Sequence, residues 1–240
     1  MPDRTIQEDV SAAIAKSGRP ELSTEKRLKL GEFAEEVALW SAKMHLIGRA
    51  GIRKNLGLLV LDSLLLLRSA EELGLISKEE ARGGQDRESV RSMPGGLKVA
   101  DIGSGAGFPG IVWKIARPDL DVTLFERKER PHAFLERIIT ALGMPGLGAL
   151  SEDAAGSAGS GTFDIVTSKA AGRLPTLLPL AARLLVPGGV YLTVKGSSWR
   201  KELTGLRPGA MRFLRAMELP EKRGAAVSFR KSTLDGSLTE

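Results

Sequence analysis

The sequence predicts an α/β fold, an open parallel sheet with helices on both faces and a helical extension in front of it. Three observations carry this. From Lys98 onward, short apolar segments alternate with amphipathic ones at the spacing of strand–helix–strand units. The first such turn, VADIGSGAGFPG at 99–110, leads an apolar strand into a glycine-rich loop. The residues before it show helical periodicity instead. A length of 240 residues fits one large domain with an appendage, and we divide it as a helical region over 1–75, a polar linker over 76–97, the α/β domain over 98–231 and a flexible tail over 232–240.

The first helix spans about 5–16 and stops at Ser17-Gly18-Arg19-Pro20, a glycine and proline breaker. A second is capped by Ser23 or Thr24, and its Phe33, Val37, Trp40 and Met44 recur at i, i+4, i+7 and i+11, one face of a 3.6-residue period. A third runs over about 58–73, with Gly74 as a left-handed C-cap. Its LLVLDSLLLL stretch is apolar almost all round, so Asp62 needs either a cationic partner or a nearby backbone amide. Strands follow at 98–102, 121–126, 147–150, 163–168 and 189–195, with helices starting near Phe108, Arg130, Leu174 and Trp199. Segments 211–218 and 224–230 then form an antiparallel hairpin at the sheet edge.

Composition narrows the chemistry. Cysteine is absent, which excludes disulfides, thiolate metal sites and cysteine nucleophiles. His45 and His132 have no ligand spacing, so no metal is expected. No run of about 18 uncharged apolar residues occurs, and the first residues lack a signal-peptide core, so we expect a cytoplasmic protein with no membrane contact. The net charge is +6. Ten basic residues against five acidic ones lie between Lys195 and Glu240, either a solvated surface or the footprint of a polyanion such as RNA.

In open α/β sheets the ligand sits outside the carboxyl ends of the strands, at this first turn. The segment 105–110 satisfies G-x-G-x-x-G literally, but two residues count against a pyrophosphate. Pro109 has no N–H to offer an anion, and Asp101 places a carboxylate beside the loop. A cationic ligand such as S-adenosylmethionine, with its ammonium and sulfonium, is attracted there, and the glycines let its methionine part lie against the backbone. Glu126 ends the second strand 25 residues after Asp101 and can accept both ribose hydroxyls. Ser151-Glu152-Asp153-Ala154 follows the third strand, in reach of the adenine amino group.

DIGSGAGFPGIVWKIARPDLDVTLFE, FDIVTSKA and LVPGGVYLTVKG, with Trp40 to Leu46 and Leu61-Asp62-Ser63-Leu64 upstream, resemble the RsmG (GidB) family over about residues 28–231. These are class I methyltransferases that methylate N7 of a guanine in bacterial small-subunit 16S rRNA. The resemblance implies a Rossmann-like class I sheet, S-adenosylmethionine as cofactor, and 16S rRNA or a small-subunit precursor as partner. Its implied cofactor residues are Asp101, Gly103, Gly105, Gly107, Phe108, Glu126, Asp153, Ala154 and Lys169, the last also a positioning residue. The family usually has Asn-Leu-Thr at His45-Leu46-Ile47, histidine at Leu59 and arginine at Lys169. Lysine keeps the charge there but loses the bidentate fork.

Attack by guanine N7 loses no proton, so no general base is required, in keeping with the absence of a cysteine nucleophile. Basic residues flanking the cofactor mouth, Lys128, Arg130, Lys169, Arg173, Lys195, Arg200 and Lys201, are the candidates for RNA phosphate contact. Phe108 and Trp199 are either core residues or platforms for a base. We expect a monomer. A class I methyltransferase with a small-molecule or other RNA substrate, or a noncatalytic RNA-binding relative, also fits these residues.

Overall fold

The structure is a computed structural model describing residues 5–19, 21–44, 52–77, 96–151, 161–204, 206 and 209–233. Three helices open the chain: α1 (Ile6–Ser17), α2 (Thr24–Met44) and α3 (Ile52–Glu72). The first is fixed by a capping box in which Thr5 and Glu8 satisfy each other's backbone N–H. Ser23 caps α2 by accepting from Lys26 N at 3.3 Å. α3 ends as expected, with Gly74 at φ 70° and its N–H on Glu71 O. It begins six residues earlier than 58, because the polar Arg53-Lys54-Asn55 hides its first turn from a periodicity reading.

The sheet contains β1 (Lys98–Ile102), β2 (Asp121–Phe125), β3 (Leu147–Leu150), β4 (Phe163–Lys169), β5 (Leu185–Gly196), β6 (Met211–Glu218) and β7 (Gly224–Lys231). Their order is β3-β2-β1-β4-β5-β7-β6. The first five are parallel, while β7 inserts antiparallel beside β5 and pairs with β6. The expected hairpin is therefore present, with its second strand inside the sheet and its first at the edge. Helices α4 (Gly110–Ala116), α5 (Glu129–Leu142), α6 (Leu174–Leu184) and α7 (Trp199–Thr204) complete the α/β architecture.

Alternation along the strands sends side chains to two cores. Val99, Val122, Ile165, Val190 and Leu192 pack with apolar residues of α1 to α5. Ala100, Phe125, Val166, Tyr191 and Phe229 pack with α6 and Trp199 on the opposite face. The helical extension is part of the first core, since Trp113 of α4 donates from Nε1 to Ser63 O of α3 at 2.9 Å. A buried ionic group also holds the end of α3, with Arg19 and Arg117 both on Glu71, and Arg117 also on Asp119 at 2.7 Å.

The second link between extension and sheet is Asp62. Its Oδ1 accepts from Arg223 Nη1 at 2.8 Å, across 161 residues of sequence. Of the two partners the sequence left open, the cation is the one found. Burial raises the Asp62 pKa, and the charges of Arg223 and Lys169 oppose that rise.

Candidate cofactor cleft

The glycine loop turns back under β1 and β2. Gly103 and Ser104 both donate from N to Phe125 O, at 2.9 and 3.1 Å, and Gly107 N donates to Ser104 O at 2.7 Å. Gly107 adopts φ 90°, and a Cβ there would meet Ile111 Cδ1 at 2.4 Å, so the position requires glycine on both counts. At Gly110 a Cβ would lie 2.4 Å from Leu124 Cδ2 and 2.8 Å from Asp101 Oδ2. α4 starts at Gly110, two residues after the expected Phe108, with Pro109 as its N-cap.

Asp101 is fully buried at the base of this loop. Its Oδ2 accepts from Gly110 N at 3.0 Å, and its Oδ1, also buried, has no hydrogen-bond partner among the described residues. Burial pushes the carboxyl up to about 7, helped by the Glu126 carboxylate and opposed by Gly110, Ser104 and Lys169. The buried oxygen without a hydrogen bond leaves room for a donor or a cationic group at the base of the loop. That fits an ammonium or sulfonium, and a pyrophosphate poorly.

Glu126 follows β2 directly and is buried. Its Oε2 accepts from Gly105 N at 2.9 Å and its Oε1 from Lys128 N at 2.8 Å. Both oxygens thus face the loop and the mouth of a cleft of about 740 Å³, lined by Gly103, Gly105, Glu126, Lys128, Arg130 and Ala171 among others. This opening lies at the carboxyl ends of β1, β2 and β4, where the sequence places the ligand. Glu126 is a strand-end acid as expected, and it also braces the loop.

The remaining candidates fall in different places. Gly107 and Phe108 do not line the cleft: Gly107 lies against Ile111 and Phe33, and Phe108 is buried against Phe33 with ring centroids 5.1 Å apart. Lys169 ends β4 beside Ala170, which lines the cleft at φ 55°. Burial lowers the Lys169 pKa and Arg223 adds to that, against the charges of Asp62 and Asp101. Asp153 and Ala154 lie outside the described residues, as do His45, Leu46 and Ile47, residues 78–95 of the linker and 234–240 of the tail.

Of the basic candidates, Lys128 and Arg130 are exposed on the cleft rim. Arg173 is exposed at the N-cap of α6, and Lys201 is exposed on α7. Arg200 stacks over Trp199 at 4.4 Å and pairs with Glu218 at 2.5 Å. Lys195 is different, because it is buried, bound to Glu202 at 2.9 Å, and donates to Gly172 O at 2.8 Å. Hydrogen bonds from Lys195 and Leu174 N hold Glu202 below its usual pKa despite burial. The ammonium expected at a rim thus closes an internal network between β5, α7 and the loop after β4. Trp199 is likewise a core residue, stacked on Phe213 at 6.5 Å. Sequence reasoning missed Arg223 as a partner for Asp62, and also missed Met44, Thr176 and Leu177 in the cleft lining.

Among the described residues no group of three histidine and acidic side chains could hold a metal ion. No described helix is long and apolar enough to cross a membrane.

A family model for GidB, described as rRNA small subunit methyltransferase G, matches residues 88–219. Among curated relatives, the ribosomal RNA small subunit methyltransferase G of Sorangium cellulosum is 38% identical over 147 residues, covering 60% of this chain and 53% of that protein. The protein of the same name from Acidiphilium cryptum is 34% identical over 175 residues, covering 68% of this chain and 78% of that one. The chain thus spans only about half the length of the Sorangium relative. A crystal structure of a mutant of MtNAS superposes with a TM-score of 0.54 over 95% of this chain and 86% of that one, at 15% identity, a likeness of fold alone. With the α/β sheet and glycine loop in place and more than half of its residues matched by the family model, the chain belongs to the GidB family of small-subunit rRNA methyltransferases.

Proposed function

We propose that this protein transfers a methyl group from S-adenosylmethionine to N7 of a guanine in bacterial 16S rRNA, as a cytoplasmic monomer acting on the rRNA or a small-subunit precursor. The observation that carries the reading is Asp101, whose buried, unpartnered Oδ1 stands at the base of a glycine loop opening on the cleft. S-adenosylmethionine, when bound, supplies an electrophilic methyl carbon that bonds to the N7 lone pair as its bond to sulfur breaks. Asp101 supplies negative charge beneath the loop, with Gly103 and Gly105 giving close backbone approach. Glu126 would hold the ribose hydroxyls, and Asp153 and Ala154 are the residues assigned to the adenine end.

No residue has to remove a proton, because N7 carries none. The chain's contribution is to hold N7 in line at near-attack distance, an effect of about 7 to 11 kcal/mol at best. Lys169 beside the cleft positions the reacting groups, and Lys128, Arg130, Arg173 and Lys201 meet RNA phosphates. Mapping N7-methylguanosine in 16S rRNA from cells with and without the gene tests the proposal. Loss of one modified guanine without the gene is expected, and an unchanged pattern overturns it.

A further inference from the structure

Arg212 and Arg230 stand directly opposite each other across the β6–β7 pair. Opposed residues in an antiparallel pair have Cα atoms about 4.5 to 5.5 Å apart and leave the same face, so two like charges there repel. Three other arginines near this hairpin each have a carboxylate partner. Arg215 pairs with Glu72 at 3.0 Å, Arg223 with Asp62 at 2.8 Å and Arg200 with Glu218 at 2.5 Å. Among the described residues, Arg212 and Arg230 have no carboxylate partner, and Arg230 Nε is buried without any hydrogen bond.

Together with Lys231, Ser232 and Thr233, the two arginines line a pocket of about 220 Å³. Lys231 donates to Leu185 O at 2.7 Å, which leaves Arg212 and Arg230 as the cations of this pocket without a protein acceptor among the described residues. Two forked cations and two hydroxyl-bearing residues around a small pocket match a tetrahedral oxyanion, which can take several charge-assisted hydrogen bonds at once. Such an anion offsets the repulsion between the two guanidinium groups. Arg230 is in register with Val190, which pairs with Ile165 near the start of β4, and Lys231 reaches Leu185 at the start of β5, so the pocket lies toward the amino ends of the parallel strands, away from the cleft at their carboxyl ends.

We propose that Arg212 and Arg230 form a phosphate-binding subsite that holds a backbone phosphodiester of the RNA substrate at the end of the sheet remote from the cleft. This rests on the RNA methyltransferase reading. It assigns the arginines a positioning contact, one that sets how a large RNA lies on the protein without reading its sequence.

The test compares the full chain with R212Q, R230Q and R212K, using a labelled hairpin RNA of small-subunit rRNA sequence titrated over a range of salt concentrations. A phosphate contact contributes about 0.7 to 0.9 to the slope of log affinity against log salt, which at 0.15 M amounts to about four- to fivefold in affinity. R212Q and R230Q are expected to lose that factor and that part of the slope, R212K to keep most of the slope, and all three to bind S-adenosylmethionine as the parent does. R212Q changes an exposed side chain and keeps the test alive where R230Q fails to fold. Unchanged RNA affinity and slope in a folded R212Q overturn the proposal. So does stabilisation of the parent, but not R212Q, by inorganic phosphate with RNA binding unaffected, which assigns the pocket to a free anion. Failure of the methyltransferase reading shows separately, as a parent protein that does not bind S-adenosylmethionine.

Discussion

Replacing Asp101 by asparagine, D101N, removes the one charge on which the cofactor assignment turns while keeping an oxygen for Gly110 N. The folded protein holds the Asp101 proton more tightly than the unfolded chain, since burial raises the carboxyl from 3.8 to about 7. Its contribution to stability is therefore fully present below pH 4 and is lost as the pH rises through 7. At about 1.36 kcal/mol per pH unit, the ionised carboxylate costs the folded state about 4 kcal/mol above neutrality. A bound cation reverses this preference, so binding below pH 7 must expel the proton. Affinity for S-adenosylmethionine is accordingly expected to be about tenfold weaker at pH 6 than at pH 8.

Isothermal titration calorimetry at pH 6, 7 and 8, in buffers of different ionisation enthalpy, reads both the affinity and the released proton. Urea unfolding over the same range reads stability. The parent should release close to one proton on binding at pH 6 and lose stability between pH 5 and 8. D101N should bind at least tenfold more weakly, without that pH dependence, and should be no less stable than the parent at pH 8. A parent affinity that is flat from pH 6 to 8, or a D101N variant that keeps the parent's pH dependence, would falsify the reasoning.

Three further outcomes follow from the same geometry. G107A places a Cβ 2.4 Å from Ile111 Cδ1 at φ 90°; it should cost about 1 to 3 kcal/mol, seen as a fall in Tm of about 2 to 4 °C per kcal/mol. D62A leaves Arg223 without its anion, with an expected loss of about 3 kcal/mol in urea unfolding, whereas D62L combined with R223M should recover most of it. K128Q and R130Q act at the exposed cleft rim, so each should lower the salt dependence of RNA binding by about one phosphate contact with S-adenosylmethionine affinity unchanged.

What the sequence revealed and what it hid divide along physical lines. β1 and β3 were readable to the residue because short apolar runs between turn formers leave little freedom. β5 was read four residues short at its start, since Pro187 and two glycines look like a turn yet continue the strand. The charge of the ligand was readable at Asp101, because a carboxylate entering a glycine loop is a local signal. Its unpartnered Oδ1 was not, being a property of everything packed around it. Lys195 looked like a surface cation for the same reason, since Glu202 and Gly172 O come to it only through the fold. No periodicity could join Asp62 to Arg223.

The place of β7 has a consequence for how the molecule is made. During synthesis from the N-terminus, α3 and the five parallel strands emerge first, but the sheet closes only when Gly224–Lys231 enters between β5 and β6. Until then the Asp62 carboxylate has no Arg223, and the β5 edge stands open along a long apolar strand. The Asp62–Arg223 contact made at that point spans 161 residues, and its closure entropy must be met before it returns any stability. The nascent protein therefore passes through an interval in which its glycine loop can already form while its sheet is still open to other chains, and a chaperone that covers that edge would act there.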